Sequence, residues 1–244
     1  MALLWWGTCA SGQDAAAPTG KPPRIGLVLS GGGARGAAHI GVLKVLEELH
    51  VPITCITGTS MGSIVGAAYA SGTSVDEMEG IVANMSASTL FHEQPPRSEQ
   101  SMRRKADDHI NYIGPEIGIR DDSIALPKGL VSGVQLESVL RRLSKTRGYY
   151  DFDALPIPFR AVATDIVSGK PVVLRSGELA SAMRASMSVP GAFAPARIGG
   201  RALLDGGLVR NLPVDVARDL CADVIIAVNL GSPLLKEDEL GSIL

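Results

Sequence analysis

One local unit occurs twice in this chain and constrains its fold more than any other feature. Ile25 to Leu29 (IGLVL) and Ile53 to Thr57 (ITCIT) are short apolar runs, each followed by a glycine-rich turn and then by a helix-like segment. Apolar runs of this length are typical of strands buried on both faces of a parallel sheet. The two units therefore predict glycine loops at the carboxyl ends of neighbouring strands.

The remaining strand and helix patterns alternate along the chain without an internal repeat. They predict an α/β fold with a mostly parallel central sheet and helices on both faces, a three-layer α/β/α arrangement. The predicted helices cover about 37–49 and 61–70, and capping boxes at Ser74/Glu77 and Ser132/Gln135 open two more. Predicted strands are 159–166 and 171–174 as a hairpin, 201–204, and 224–228 as the last buried strand, with Asn211 capping a short helix between them.

The length of 244 residues fits one folded domain, which we expect at 24–235. Residues 1–23 resemble a signal-peptide remnant or a disordered arm, because a short apolar patch is followed by small residues. Residues 86–128 are polar and irregular, which predicts an insertion or flap. Residues 236–244 are expected to begin a linker to a further C-terminal region.

Charge and cysteine content limit the possible functions. The formal net charge is −2, so no electrostatic attraction to nucleic acid is expected. Cys55 and Cys221 lie in apolar stretches and, like Cys9, belong to no C-x-x-C pair. They are expected to be small buried thiols rather than redox or catalytic groups.

The second glycine turn, Gly58-Thr59-Ser60-Met61-Gly62, has the G-x-S-x-G pattern of a nucleophile elbow. In such an elbow the serine lies at the carboxyl end of a strand, above a helix N-terminus whose dipole favours negative charge. The alternative is an ordinary glycine-rich turn in which the serine only caps the helix.

A serine nucleophile needs a base, and the histidines are poorly placed to serve. In an α/β-hydrolase the chain order is serine, acid, histidine, but no histidine here follows Asp205. The four histidines are His39, His50, His92 and His109. Asp205 is the best carboxylate candidate, because an apolar stretch precedes it and Gly206 and Gly207 permit a close backbone approach. The alternative for this segment is an Asp-Gly hairpin turn.

The first glycine turn, Gly31 to Gly36 (GGGARG), can present several backbone amides in one direction to an oxyanion or a phosphate. It also satisfies G-x-G-x-x-G, but a dinucleotide site needs an acidic residue at the end of the second strand. That position holds Thr57 to Ser60 instead, and the segment lacks the Gly-Lys-Ser/Thr of a P-loop. An oxyanion hole is therefore favoured over a nucleotide site.

GGGARG, GTSMG and Asp205-Gly206-Gly207 in this order resemble the patatin-like phospholipase family, over about 25–229. The resemblance implies a dyad of Ser60 as nucleophile and Asp205 as base, without metal or cofactor. It implies an oxyanion hole from the backbone of Gly32, Gly33, Ala34 and Arg35. The other motif positions are Gly31, Gly36, Gly58, Gly62, Gly206 and Gly207. The stretch 185–190 (ASMSVP) also resembles a family segment near the site.

The resemblance further implies hydrolysis of phospholipids or other lipid esters, with transient contact to a membrane surface. The two ends of the chain are similar to bacterial members exported as passengers of outer-membrane proteins, so export is expected. The alternative function is a nucleotide-binding module that uses GGGARG and has no hydrolase activity.

Overall fold

The computed structural model describes residues 21–83, 101–107, 118–120, 123–125 and 134–231. Most of the predicted N-terminal arm, much of the predicted flap and the predicted linker at 236–244 lie outside the described residues. Within 86–128, the described pieces are one short helix and two short strands.

Helices are interspersed among the strands along the described part of the chain. The strands are β1 (Ile25–Leu29), β2 (Ile53–Thr59), β3 (Gly118–Arg120), β4 (Ser123–Ala125), β5 (Tyr150–Asp151), β6 (Phe159–Asp165), β7 (Pro171–Leu174), β8 (Ser176–Gly177), β9 (Ala196–Ile198), β10 (Arg201–Asp205) and β11 (Val224–Val228). The α-helices are α1 (Ala38–Glu48), α2 (Met61–Ala70), α3 (Val75–Ala83), α4 (Met102–Asp107), α5 (Val134–Leu143), α6 (Leu179–Ser186) and α7 (Val214–Leu220). Short 3-10 helices cover Gly33–Ala37, Phe152–Ala154 and Gly206–Leu208.

The central sheet is mixed, with a parallel half and an antiparallel half. Strands β11, β1, β2 and β6 are adjacent and parallel, which confirms the predicted parallel core. Strands β7, β10 and β9 are antiparallel to their neighbours. The β6–β7 pair is the predicted hairpin, and Gly169 in its turn has a φ of 64°.

Two strands share one edge of β6 and meet end to end there. Thr59, the last residue of β2, is paired with Val162, and Asp205, the last residue of β10, is paired with Ala163. Strand β7 pairs with the same two β6 residues and therefore occupies the opposite edge. The carboxyl ends of β2 and β10 thus converge from opposite directions on adjacent β6 residues.

Alternating residues of β1 separate the two faces of the sheet, as the strand period requires. Leu27 and Leu29 belong to the main core, which includes the buried faces of α1, α2, α5 and α6. Val28 belongs to a smaller cluster with Cys55 of β2 and Ala217 of α7. Helices therefore cover both faces, which confirms the three-layer prediction.

Two sequence predictions about the C-terminal part are wrong. Asn211 does not cap α7, because that helix begins after Pro213 with no side-chain cap, while the Asn211 amide is directed at the Gly31 carbonyl oxygen (3.5 Å). Strand β11 is not a buried strand: among the described strands it pairs with β1 alone, and Val224 is 48% exposed. Its apolar composition alone does not distinguish an edge from a centre.

Cys55 and Cys221 form a disulfide with Cα atoms 6.2 Å apart, so the prediction of separate thiols is also wrong. The bond joins β2 to the residue that follows α7, which packs over that strand. The sequence separation is 166 residues, and no local spacing indicates such a pairing. The disulfide ties the C-terminal part of the domain to the centre of the sheet.

We predict that reduction of Cys55–Cys221 lowers the free energy of unfolding by about 2–5 kcal/mol, because the bond closes a long loop in the unfolded chain. Urea unfolding with and without reductant measures this difference. The Cys9→Ser variant is the control, since it removes the third cysteine and leaves the disulfide. Equal unfolding midpoints for oxidised and reduced Cys9→Ser would contradict the prediction.

Candidate active site

Ser60 lies at the sharp turn between β2 and α2. Its φ of 53° is in the left-handed region, which is uncommon for a residue with a side chain. The turn depends on Gly62, because a Cβ there would collide with the Leu29 carbonyl oxygen. Ser60 is 9% exposed, and its side chain makes no capping bond to α2. This geometry favours the elbow over the simple helix cap.

Asp205 ends β10 directly opposite this turn. Its Oδ2 accepts a hydrogen bond from Ser60 Oγ at 2.6 Å, and its Oδ1 accepts one from the Gly207 amide at 2.6 Å. The residues after Asp205 form a 3-10 turn rather than a second hairpin strand, so the hairpin alternative is wrong. The structure therefore brings the two predicted side chains into direct contact.

The backbone of Asp205 is held on both sides. Its amide donates to the Ser188 carbonyl oxygen at 2.9 Å, and its carbonyl oxygen accepts from Thr164 Oγ1 at 2.8 Å. Asp205 is only 7% exposed. The carboxylate thus has little freedom to move away from Ser60.

Burial raises the pKa of the Asp205 carboxyl above its ordinary value, while the hydrogen bonds from Ser60 and Gly207 partly oppose that rise. A carboxylate with a raised pKa is a better proton acceptor than a solvated aspartate. Ser60 lies at the N-terminus of α2, where the helix dipole favours developing negative charge. Both effects suit proton transfer from the hydroxyl to the carboxylate.

The GGGARG loop leaves β1 and lies beside Ser60: a Cβ on Gly31 would be 3.1 Å from the Ser60 Cβ. Gly33 and Ala34 open the 3-10 helix, and leading amides of a helix have no partner within it. The Arg35 amide instead donates to the Gly32 carbonyl oxygen at 3.2 Å. Of the four predicted oxyanion-hole amides, that of Arg35 is therefore already used within the loop, and those of Gly32, Gly33 and Ala34 stay candidates.

The loop is anchored by residues that the sequence analysis did not single out for this role. The Gly31 amide donates to the Asn211 carbonyl oxygen at 3.3 Å. Ser30, directly before the loop, accepts from the Leu230 amide through its Oγ (2.8 Å), and its carbonyl oxygen is 2.8 Å from His39 Nε2. The contacts with Asn211 and Leu230 join residues about 180 and 200 positions apart, so no local sequence signal reveals them.

His39 is a buried supporting residue and makes no contact with Asp205 or Ser60. Burial lowers the pKa of its imidazole, so the neutral ring with Nε2–H is the form that donates to Ser30. His50 is exposed on a turn after α1. His92 and His109 lie outside the described residues. The structure therefore assigns the contact with Ser60 to a carboxylate.

The other motif glycines mark close approaches of the backbone. A Cβ on Gly36 would collide with the Met61 side chain, and one on Gly58 would collide with the Gly62 carbonyl. A Cβ on Gly206 would collide with the Val162 carbonyl. The three predicted glycine motifs therefore form one packed site. Among the described residues, no three His, Cys, Asp or Glu side chains gather in a metal-binding arrangement.

The profile of one protein family, described as patatin-like phospholipase, matches residues 27–218. The chain belongs to the patatin-like phospholipase family. The matched region includes all three glycine motifs and both members of the Ser60–Asp205 pair.

Several curated proteins are similar to this chain. An uncharacterised NTE family protein of Mycobacterium tuberculosis is 35% identical over 208 residues, covering 85% of this chain and 49% of that protein. Human patatin-like phospholipase domain-containing protein 6 is 34% identical over 85% of this chain and 13% of its own length. Lysophospholipase nte1 of Aspergillus fumigatus is 36% identical, with 85% and 12% covered. The chain thus spans about half or less of these relatives.

Among solved structures, VipD of Legionella pneumophila matches with a TM-score of 0.48 and 17% identity, over 79% of this chain and 47% of that one. ExoU of Pseudomonas aeruginosa, in complex with SpcU, matches with a TM-score of 0.44 and 22% identity, over 70% of this chain and 39% of that one.

No helix in the part of the chain that the structure describes has the length and apolar character needed to cross a bilayer.

We predict that Asp205→Asn is more stable than the wild-type protein at neutral pH. The raised pKa means that the folded state holds the Asp205 proton more tightly than the unfolded state. This contribution to stability is complete below the unfolded pKa and is lost as pH rises through the folded pKa. Asparagine keeps hydrogen-bonding groups toward Ser60 and Gly207 without the buried charge. Urea unfolding from pH 4 to 8 should show a gap that closes as pH falls.

Asp223→Asn is a control of opposite sign, because its hydrogen bonds with Arg24 lower the pKa of the Asp223 carboxyl to about 2. Its stabilising contribution is present above the unfolded pKa and is lost as pH falls through about 2. The asparagine variant at this exposed position should therefore be no more stable than the wild type at neutral pH. An Asp205→Asn variant that is less stable than the wild type at pH 7 would disprove the prediction.

Proposed function

We propose that this chain is a serine hydrolase of lipid carboxylic esters that uses Ser60 and Asp205 as a catalytic dyad. The observation that carries the proposal is the 2.6 Å hydrogen bond between Ser60 Oγ and a buried carboxylate. It lies beside backbone amides that have no partner within their own helix. Membership in the patatin-like phospholipase family supports the same class of reaction.

The reaction proceeds in two halves. Ser60 Oγ attacks the ester carbonyl carbon as its proton moves to Asp205 Oδ2, and amides of the GGGARG loop stabilise the oxyanion. The intermediate collapses, the alcohol leaves with the proton from Asp205, and an acyl-serine remains. Asp205 then takes a proton from a water molecule that attacks the acyl group, and Ser60 recovers its proton as the fatty acid leaves.

The surface near the dyad supports an apolar substrate. Val189 follows Ser188, whose carbonyl oxygen accepts from the Asp205 amide. Leu208 ends the 3-10 turn after Asp205, and Val209 follows it. These three side chains are 44%, 54% and 44% exposed. Exposed apolar residues that lie close in sequence to the dyad segments suit contact with acyl chains and a transient contact with a membrane surface.

We predict that a fluorophosphonate or alkyl phosphonate ester labels Ser60, and that Ser60→Ala and Asp205→Asn each lower ester hydrolysis by at least about 10³-fold. The reason is that each variant removes one of the two groups that make the nucleophile. Peptide mass mapping of the labelled protein and hydrolysis of a lysophospholipid measure the two effects. Ser71→Ala, at the far end of α2, is the matched control and should keep full activity.

Retention of most activity by either dyad variant would refute the proposed mechanism. The nucleotide-binding alternative predicts equilibrium binding of NAD or ATP to the wild-type protein, with no phosphonate label. In the structure, Ser60 lies at the end of β2, where a dinucleotide site places its acidic residue. This arrangement disfavours that alternative.

We propose in addition that the protein is exported from the cytoplasm. The Cys55–Cys221 disulfide supports this, because structural disulfides persist in oxidising compartments and are rare in reducing ones. Alkylation of intact cells with a maleimide before lysis, followed by fractionation, tests it. Export predicts that Cys55 and Cys221 escape alkylation unless the cells are first reduced. Cytoplasmic protein with both thiols alkylated would contradict it.

A further inference from the structure

The stretch 185–190 crosses the point where β2 and β10 meet, and it touches both sides of the dyad. Ser186 Oγ accepts a hydrogen bond from the Ser60 amide at 2.9 Å and donates one to the Val162 carbonyl oxygen at 2.6 Å. Two residues later, the Ser188 carbonyl oxygen accepts from the Asp205 amide at 2.9 Å. One segment therefore contacts the backbone of the nucleophile and the backbone of the base.

Ser186 Oγ binds the backbone amide of Ser60, the residue of the elbow that has a positive φ. Ser60 has a φ of 53°, in the left-handed region that is uncommon for a residue with a side chain. A buried amide without a partner costs about 1–3 kcal/mol. Ser186 is fully buried, and its Oγ is that partner. The Ser186 hydroxyl itself donates to the Val162 carbonyl oxygen of β6. The hydroxyl thus fixes the strained turn relative to β6, the strand with which Asp205 is paired.

The Ser188 side of the segment is held by its own buried anchor. Arg184 donates to Ser188 Oγ at 2.6 Å, and Ser188 Oγ donates to the Arg184 carbonyl oxygen at 2.8 Å. The Arg184 guanidinium also donates to the Ala194 carbonyl oxygen at 2.9 Å and lies 4.9 Å from the centre of the Phe193 ring. These contacts hold Ser188, and through it the Asp205 amide, against α6.

We propose that Ser186 is a positioning residue of the catalytic dyad: it holds the Ser60 backbone so that Ser60 Oγ stays aligned with Asp205. This inference rests on the function proposed above. The role goes beyond stability, because the hydrogen bond acts on the residue whose side chain reacts. A displacement of a reacting group by about 1 Å can cost about 100-fold in rate.

The test compares Ser186→Ala with Thr73→Val. Thr73 Oγ1 donates to the Leu143 carbonyl oxygen at 2.7 Å, so both variants remove one buried hydroxyl that bonds to a carbonyl. Thr73 lies before α3 and takes no part in the dyad contacts described above. Both variants are expected to lose stability. Only Ser186→Ala is expected to lower kcat, by about 10- to 100-fold, with KM within about twofold of the wild type.

The rate of phosphonate labelling at Ser60 is the second measurement, and it should fall with kcat in Ser186→Ala and stay unchanged in Thr73→Val. Ser186→Cys retains the side-chain size with a weaker hydrogen-bonding group. We expect its kcat and labelling rate to lie between those of the wild type and Ser186→Ala. If the alanine variant does not fold, Ser186→Cys decides the question.

A Ser186 variant that folds and retains wild-type kcat and labelling rate would overturn the inference. A change in KM alone would overturn it as well, because a positioning role acts on the chemical step. Failure of the wild-type protein to react with the phosphonate would instead refute the proposed function. The two failures are therefore distinguishable in one set of measurements.

Discussion

The site depends on the sharing of one edge of β6 by two strands that run toward each other. Thr59 and Asp205 pair with adjacent β6 residues. Ser60, which directly follows β2, must therefore lie close to Asp205. Ladder hydrogen bonds fix this relation, and the register of a strand with one buried face cannot slip without exposing its apolar side chains. The distance between Ser60 and Asp205 is thus set by the sheet itself.

The convergence of these two strand ends lowers the stability of the folded chain, and contacts with surrounding residues offset that loss. It places a carboxylate at low exposure and a non-glycine residue at positive φ, both of which destabilise a folded chain. The Gly207 amide and the Ser60 hydroxyl donate hydrogen bonds to the carboxylate, and Ser186 Oγ accepts one from the amide of Ser60, the residue with positive φ. Local strain that persists because its surroundings fix it is typical of functional sites.

The sequence predicts the local parts of this arrangement well and the long-range parts poorly. The bounds of β1 and α2 follow from apolar runs and glycine turns, and the structure confirms them. The shared β6 edge, the Asn211 contact with the glycine loop and the Cys55–Cys221 bond all join residues distant in sequence. The order of the three glycine motifs predicts that Ser60 and Asp205 lie together. The register in which β2 and β10 pair with β6 explains how they do so.

Each of the three glycine motifs is supported by a contact to its backbone from another part of the chain. Asn211 bonds to the Gly31 amide, Ser186 to the Ser60 amide and Ser188 to the Asp205 amide. Contacts of this kind fix the course of the backbone at each motif. Leu208 and Val209 are exposed and are not among the residues that make these three backbone contacts. We therefore expect substitutions of their side chains to leave Ser60 Oγ and Asp205 Oδ2 in place.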